Sequence, residues 1–491
     1  MKILCLGNNS NDTAEKANRM AQELSLPCHG LLNKSNNSIT ANGVYYTNIF
    51  DLTNDEICNV AEQCTKVVML DQSRDSYSHP NTFLHTVLLA QQLDCEWQNP
   101  NSATNISYWQ DLVDDNPAFC IFPFIELLTE NGKTKVCCRS TKTIKPLNNI
   151  QNWTSDHDYS ELRSKIIAGE KIPEYCRHCY REEDLGIISA RKFETVEWAN
   201  RLDLKNIDDL LEISKPAYYE VRASNTCNLQ CRTCTPEYSH LLKQEYEILG
   251  LDFHKVPDHF SNFDFVDLAN IEKIYISGGE PTAQVEFFDF LDRCINSGQT
   301  DFEVMINTNA NKFSKKFLTQ IEQFSNLQFI VSVDGYSKLN HYIRWPSIWD
   351  DTVDNIKSII QRHQVTVNSV LSIYNIAEYS DLLEFIEKQF PTARVHAQIA
   401  ISNNNRLTPL NHPNPKLVMA RLENIKKLKC YQNDMMLASV IDSIITHYQT
   451  AYEFNPNLWK DFLRFNDLLD TSRNVKLANY IPELENYRHL S

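Results

Sequence analysis

This sequence predicts an α/β protein whose largest part is an array of parallel βα repeats, and three observations predict it. Six strand-like runs alternate with helical segments between residues 218 and 400. Strands that recur with a helix between them run parallel, because a parallel return needs a long crossover. A shorter alternation of the same kind occupies residues 1–98, and residues 403–491 carry helical spacing alone. Residues 99–205, between the two alternating parts, are less regular and rich in cysteine.

Taken in order, "KILCLG" (2–7) is a short apolar strand followed by the polar turn "GNNSND". Helical spacing then runs through "TAEKANRMAQEL" (13–24), with Asp12 or Thr13 able to cap it. A second helix, "NDEICNVAEQC", precedes the strand "KVVMLD" (66–71), and a third helix starts near Thr82. This is a small open sheet with helices packed on it. The loop after its first strand has one glycine and no GxGxxG, so a tight connection is preferred to an anion site. In the main array the strands are 218–223, 273–277, 302–307, 329–333, 365–372 and 393–400. Helices are expected at 236–249, 284–296, 315–324, 349–363 and 380–390, giving either an open sheet or a partial barrel. Three amphipathic stretches follow, "VMARLENIKKL", "LASVIDSIITHYQTAY" and "WKDFLRFNDLLD", whose charges read as solvated helix faces.

Composition excludes several classes. At 491 residues the chain is too long for one core, and about two to four domains are expected. Apolar residues at 42% with charged residues at 22% argue against disorder, a collagen-like repeat or a coiled-coil rod. The formal charge of −16 disfavours nucleic acid as a partner. No apolar run approaches the ~20 residues of a membrane span, and polar residues interrupt any signal-like start. A cytoplasmic protein with no membrane association is expected.

The fifteen cysteines carry the chemistry. An odd number in a reducing compartment points to metal or catalysis rather than a disulfide framework. After the first strand of the array, "ASNTCNLQCRTC" spaces Cys227, Cys231 and Cys234 as C-x3-C-x2-C. Three thiolates on one short loop can hold a cubane 4Fe–4S cluster and leave one of its irons open to a small molecule. The loop also lies just past a strand, where ligands of parallel βα folds bind.

These residues resemble the radical S-adenosylmethionine (radical SAM) superfamily. The resemblance implies a partial (βα)6 barrel in which Cys227, Cys231 and Cys234 hold a cluster that chelates SAM. Electron transfer into the sulfonium then releases a 5′-deoxyadenosyl radical for hydrogen abstraction, with flavodoxin or ferredoxin as the reductant. The second strand ends in "ISGGEP", matching the family's glycine-rich motif. By resemblance, Gly278 and Gly279 let backbone approach the SAM amino group, and Glu280 balances its charge. The third and fourth strands end in "INTNA" and "VSVDG". Asn307, Thr308, Asn309, Ser332 and Asp334 there match positions that contact the SAM ribose and carboxylate. Thr233, before the last cysteine, departs from the aromatic residue often found there.

Upstream, Cys120 and Cys137 bracket Gly132 as C-x11-G-x4-C, and Cys176 and Cys179 form C-x2-C. Four thiolates make a coordinatively closed site, either a second iron–sulfur cluster or structural zinc. The spacing resembles the auxiliary-cluster module called twitch, a short relative of SPASM, which usually follows the barrel. Cys138 competes with Cys137 as ligand, and the glycine spacing favours Cys137. Such a site can pass an electron or rigidify the pocket.

Arg344 could anchor a carboxylate or phosphate, or form an ordinary surface salt bridge. Tyr342, Trp345 and Trp349 read as core, and His178, between Cys176 and Cys179, as a hydrogen-bond donor to those ligands or simply solvated. The reading is therefore a radical SAM enzyme with an auxiliary cluster, acting on a peptide or small metabolite. The alternatives are an iron–sulfur electron-transfer protein without SAM chemistry and a zinc-stabilised binding protein.

Overall fold

In a computed structural model the described residues are 105–147, 152–184, 189–256, 261–400 and 405–490, with six strands nearer the N-terminus. The helices expected at 13–24, before Lys66 and near Thr82, and the loop "GNNSND" beyond Asn8, lie outside the described residues. The chain divides into two compact units. The first comprises residues 1–125, 139–142 and 153–214, and the second 126–138, 143–152 and 215–491.

The first unit opens with strands β1 (Ile3–Asn8), β2 (Cys28–Asn33), β3 (Thr40–Ala41), β4 (Val44–Asn48), β5 (Lys66–Met69) and β6 (Glu96–Gln98). Their order is β3-β4-β2-β1-β5-β6, parallel except for the β3–β4 pair. The chain thus winds outward from β1 in both directions, the doubly wound arrangement. Both strands expected from the sequence, at 2–7 and 66–71, are present as β1 and β5. The rest of the unit is helical: α1 (Asn105–Asp115), α2 (His157–Ile167), α3 (Pro173–Asp184) and α4 (Ala190–Arg201). Side-chain caps start two of them, Asp156 for α2 and Ser189 for α4. Buried Trp109 packs on Phe119 and donates its indole N–H to the Leu204 carbonyl at 2.9 Å.

In the second unit, β7 (Glu126–Glu130), β8 (Lys133–Lys135) and β9 (Thr143–Pro146) join β10 (Tyr218–Arg222), β11 (Lys273–Ser277), β12 (Glu303–Thr308), β13 (Leu327–Ser332), β14 (Gln364–Leu371) and β15 (Arg394–Ile399). The order is β15-β14-β13-β12-β11-β10-β7-β8-β9. Strands β10 to β15 are parallel and sequential, as expected, and β15 does not pair back to close a ring. The array is therefore a partial barrel. The sequence reading did not contain its seventh parallel strand: β7 pairs β10 in parallel, so part of the cysteine-rich segment extends this sheet. Asn131 and Gly132, at φ 52° and 73°, form the two-residue turn between β7 and β8 inside "TENGKTK".

Side chains alternate across the sheet. Ile274, Ile276, Val304, Ile306, Phe329, Val331, Val365 and Val367 are buried on one face. The other face carries Glu220, Tyr275, Asn307, Ser332 and Asn368, with Glu220 paired to Tyr275 and Ser332 to Asn368. This polar face is where a site can form. Between the strands run α5 (His240–Leu249), α6 (Val285–Ser297), α7 (Lys315–Ile321), α8 (Lys338–Ile343), α9 (Trp349–Ile360) and α10 (Tyr379–Gln389), of which α8 was not expected.

The chain ends in α11 (Pro415–Ile425), α12 (Met435–Thr450) and α13 (Pro456–Arg473). Trp459, Phe462, Phe465 and Leu469 of α13 share a core with Leu242, Tyr342 and Tyr374. Removing a buried Trp such as Trp459 costs about 3–5 kcal/mol. One expectation fails here: the polar residues of this helix are not all solvated. Asn466, Asp470 and Arg473 are buried, because they face ionic partners rather than water. Among the described residues no helix is long and apolar enough to cross a membrane.

Candidate metal and cofactor site

The chain leaves β10 at Arg222 and enters the cysteine loop before α5. That loop has no regular structure, so its backbone groups are satisfied elsewhere. The Gln230 and Arg232 N–H groups donate to the Trp345 and Ile343 carbonyls at 2.6 and 2.7 Å. The Cys227 N–H donates to His240 Nδ1 at 3.1 Å, and Asn309 Nδ2 donates to Asn228 Oδ1 at 2.7 Å. The loop is thus tied to α5, to the end of β12 and to the segment after α8. Burial pushes the Cys227 and Cys231 thiols up and takes Cys234 to about 12. Such thiols stay neutral until a metal replaces the proton. Among the described residues no three His, Cys, Asp or Glu side chains gather on one metal ion. A cubane instead offers each thiolate its own iron.

The "GGE" sequence crosses directly against this loop. Gly278 and Gly279 have φ of 82° and 54°. A Cβ on Gly279 would stand 2.2 Å from the Thr226 carbonyl oxygen, and one on Gly278 would stand 2.9 Å from Arg222 Cβ. The Glu280 N–H donates to that same Thr226 carbonyl at 2.8 Å. Glu280 is fully buried, and its carboxylate accepts from Thr308 Oγ1 at 2.6 Å, Thr282 Oγ1 at 2.7 Å and the Asn309 N–H at 2.7 Å. Burial raises its pKa and these hydrogen bonds oppose the rise. Through these hydrogen bonds Glu280 joins the ends of β11 and β12.

Cys227, Cys231, Cys234, Gly278, Gly279, Glu280, Asn307, Thr308, Asn309 and Ser332 line one cavity of about 320 Å³ at the strand ends. Asp334 does not line it. It is buried, accepting from Arg344 Nη1 at 2.9 Å, the Val370 N–H at 2.8 Å and Thr233 Oγ1 at 3.4 Å. Arg344 is consequently no surface salt bridge. It lines the cavity, and its charge opposes the rise that burial imposes on Cys231 and Cys234. Sequence reasoning missed Arg222, Tyr238 and Tyr275, which also line it. Position at a strand end was the available signal for Arg222. Its guanidinium pairs with Glu130 of β7, which also accepts from Tyr238 at 2.6 Å.

The four-cysteine set divides between the units. Cys120, Cys176 and Cys179 belong to the first, and Cys137 and Cys138 to the second. Cys120 is raised by burial and then by the Cys176 and Cys179 thiols, so these three are neighbours. Non-helical backbone at Cys176 (φ −111°) breaks α3 there. Burial raises Cys120 and Cys176, and Arg191 opposes that rise while its fork holds Glu183 at 2.9 and 2.7 Å. Cys137 is buried and Cys138 exposed, and His178 is also exposed.

Residues 221–386 match the family model described as the Radical SAM superfamily. The GTP 3',8-cyclase of Pasteurella multocida (strain Pm70) is 25% identical over 187 residues, covering 37% of this chain and 53% of that protein. The GTP 3',8-cyclase of Haemophilus influenzae (strain PittGG) is 26% identical over 194 residues, covering 38% and 56%. The chain spans about half the length of these relatives. Streptococcus suis SuiB bound to S-adenosylmethionine overlaps with a TM-score of 0.30 at 15% identity, covering 55% of this chain and 58% of that one. SuiB bound to precursor peptide SuiA gives 0.27 at 14% identity, with 67% and 64% covered.

Proposed function

Since the chain carries a radical SAM domain over residues 221–386, we propose that it is an enzyme that cleaves S-adenosylmethionine reductively at a 4Fe–4S cluster held by Cys227, Cys231 and Cys234. One observation carries this reading: the three thiols line the same cavity as the Gly278–Gly279 strand end. When bound, the reduced cluster and SAM supply a 5′-deoxyadenosyl radical that takes a hydrogen atom from the substrate. The residues fit that group, because three soft donors stand on one wall and hydrogen-bonding groups on the others.

The chain's own part is positioning. Gly278 and Gly279 present backbone free of Cβ atoms, and Asn307, Asn309 and Ser332 offer side-chain donors and acceptors to the SAM wall. Arg344 brings a positive charge beside two of the thiols and can meet a carboxylate. Cys120, Cys137, Cys176 and Cys179 are the ligands of an auxiliary 4Fe–4S cluster in a twitch-like module, with zinc as the alternative metal. Arg191 then serves as its counter-charge. Flavodoxin or ferredoxin supplies the electron in a cytoplasmic setting. The substrate is a peptide or small metabolite. The polar face of the sheet supports a hydrophilic one, and the name GTP 3',8-cyclase of the curated relatives points to a nucleotide.

Anaerobically reconstituted protein with dithionite and SAM is expected to release 5′-deoxyadenosine, and Cys227→Ala, Cys231→Ala or Cys234→Ala to abolish it. A wild-type protein that binds iron but releases none would leave the electron-transfer reading in its place.

A further inference from the structure

The last cysteines of the loop are gripped from outside the βα array by α13. Arg232 lies in the chain between Cys231 and Cys234 and is 1% exposed. Its Nε donates to the Tyr342 carbonyl at 2.9 Å, Nη1 to Asn466 Oδ1 at 2.9 Å and Nη2 to Asp470 Oδ1 at 2.6 Å. The guanidinium also lies 3.8 Å from the centroid of the Tyr342 ring. Asp470 is shared further: Tyr342 Oη donates to its Oδ1 at 2.8 Å and the Leu477 N–H to its Oδ2 at 2.7 Å. A second buried pair holds the following helix, with Arg473 forking onto Glu245 of α5 at 2.9 and 2.5 Å.

We infer that Asp470 and Asn466 are positioning residues for the cluster ligands, acting through Arg232; this rests on the reading of Cys227, Cys231 and Cys234 as those ligands. A guanidinium without water must keep its partners, because an uncompensated buried charge is strongly unfavourable. Removing the Asp470 charge therefore drives Arg232 outward. Cys231 is its immediate neighbour in the chain, and Cys234 is two residues beyond, so the loop moves with it. Ordinary apolar packing of the loop would be as stable. The fork and the two-sided carboxylate add a single rotational setting of the backbone. The helical C-terminal region is in this account part of the ligand scaffold.

The test uses the full chain without metal, under anaerobic conditions, with limiting iodoacetamide and site-resolved mass spectrometry. Cys294, fully buried in α6, serves as the internal reference for global unfolding. In Asp470→Asn, alkylation of Cys231 and Cys234 should accelerate about tenfold relative to Cys294, as local opening without global opening requires. Asp470→Glu should restore part of the protection. After reconstitution, the electron paramagnetic resonance line shape of the reduced cluster should also differ between wild type and Asp470→Asn. If Asp470→Asn does not fold, Asn466→Ala, which keeps the carboxylate, takes its place with the same readout. Wild-type alkylation rates at Cys231 and Cys234 in a folded variant overturn the inference. Failure of wild-type protein to cleave SAM would instead overturn the functional reading and leave the alkylation result standing.

Discussion

A methyl group at Gly279 would meet the Thr226 carbonyl at 2.2 Å, and Glu280 donates its own N–H to that carbonyl. Glu280 then accepts three hydrogen bonds of 2.7 Å or less from Thr282, Thr308 and Asn309. These neighbours give the "GGE" run two separable jobs: close backbone approach at the glycines, and strand-end joining at the glutamate. The distinction is measurable. Glutamine keeps the length of Glu280 and an oxygen for the Asn309 N–H, and both threonine hydroxyls can accept from its amide, so only the Thr282 N–H, at 3.2 Å, loses its acceptor. Glu280→Gln should therefore fold and bind SAM within about fivefold of wild type, since neutral hydrogen bonds are worth about 1 kcal/mol net. A role in balancing the SAM amino charge requires a much larger loss, which isothermal titration of the anaerobic protein would reveal.

At the scale of elements, periodicity made the strands legible. "KIYIS" is observed at the residues read from the sequence, and the others shift by one or two positions. The family resemblance of the strand ends, rather than alternation, singled out Asn307 and Ser332, and both line the cavity. What was illegible depended on distant partners. Strand β7 is short and joins β10 across most of the cysteine-rich segment, and α13 shows its buried polar residues only against Arg232 and Glu245. A similar long-range pair lies at the start of α10. There burial, then the neighbouring Glu483 and Asp381, push Glu378 up to about 7, with Arg421 and Lys338 opposing. The folded protein thus holds this proton more tightly than the unfolded chain, whose carboxyl titrates near 4.5. The associated stability is complete below the unfolded value and is lost as pH rises through about 7. Glu378→Gln should flatten the fall in Tm between about pH 5 and pH 8. Thermal melts across that range would reject the assignment if wild type and variant declined in parallel.

At the scale of the whole molecule, each unit carries thiols of a different kind. In the second, three line a cavity with glycine backbone and polar side chains opposite. In the first, Cys120, Cys176 and Cys179 are neighbours, and burial is the main cause that pushes Cys120 up and takes Cys176 to about 12. Neutral buried thiols destabilise neither unit by themselves, but loading any metal on them releases protons, so uptake should improve with pH. If both sets hold clusters as proposed, substitutions at one set should remove its metal and leave the other. Two cubanes amount to about eight irons per chain. Cys176→Ala together with Cys179→Ala should lower this to about four while SAM-dependent release of 5′-deoxyadenosine stays measurable in a single turnover. Cys227→Ala with Cys231→Ala should also leave about four irons but no release. If the first pair of substitutions left iron unchanged and removed one zinc, the closed site would be structural. Electron acceptance from a substrate radical would then have to be sought elsewhere in the chain.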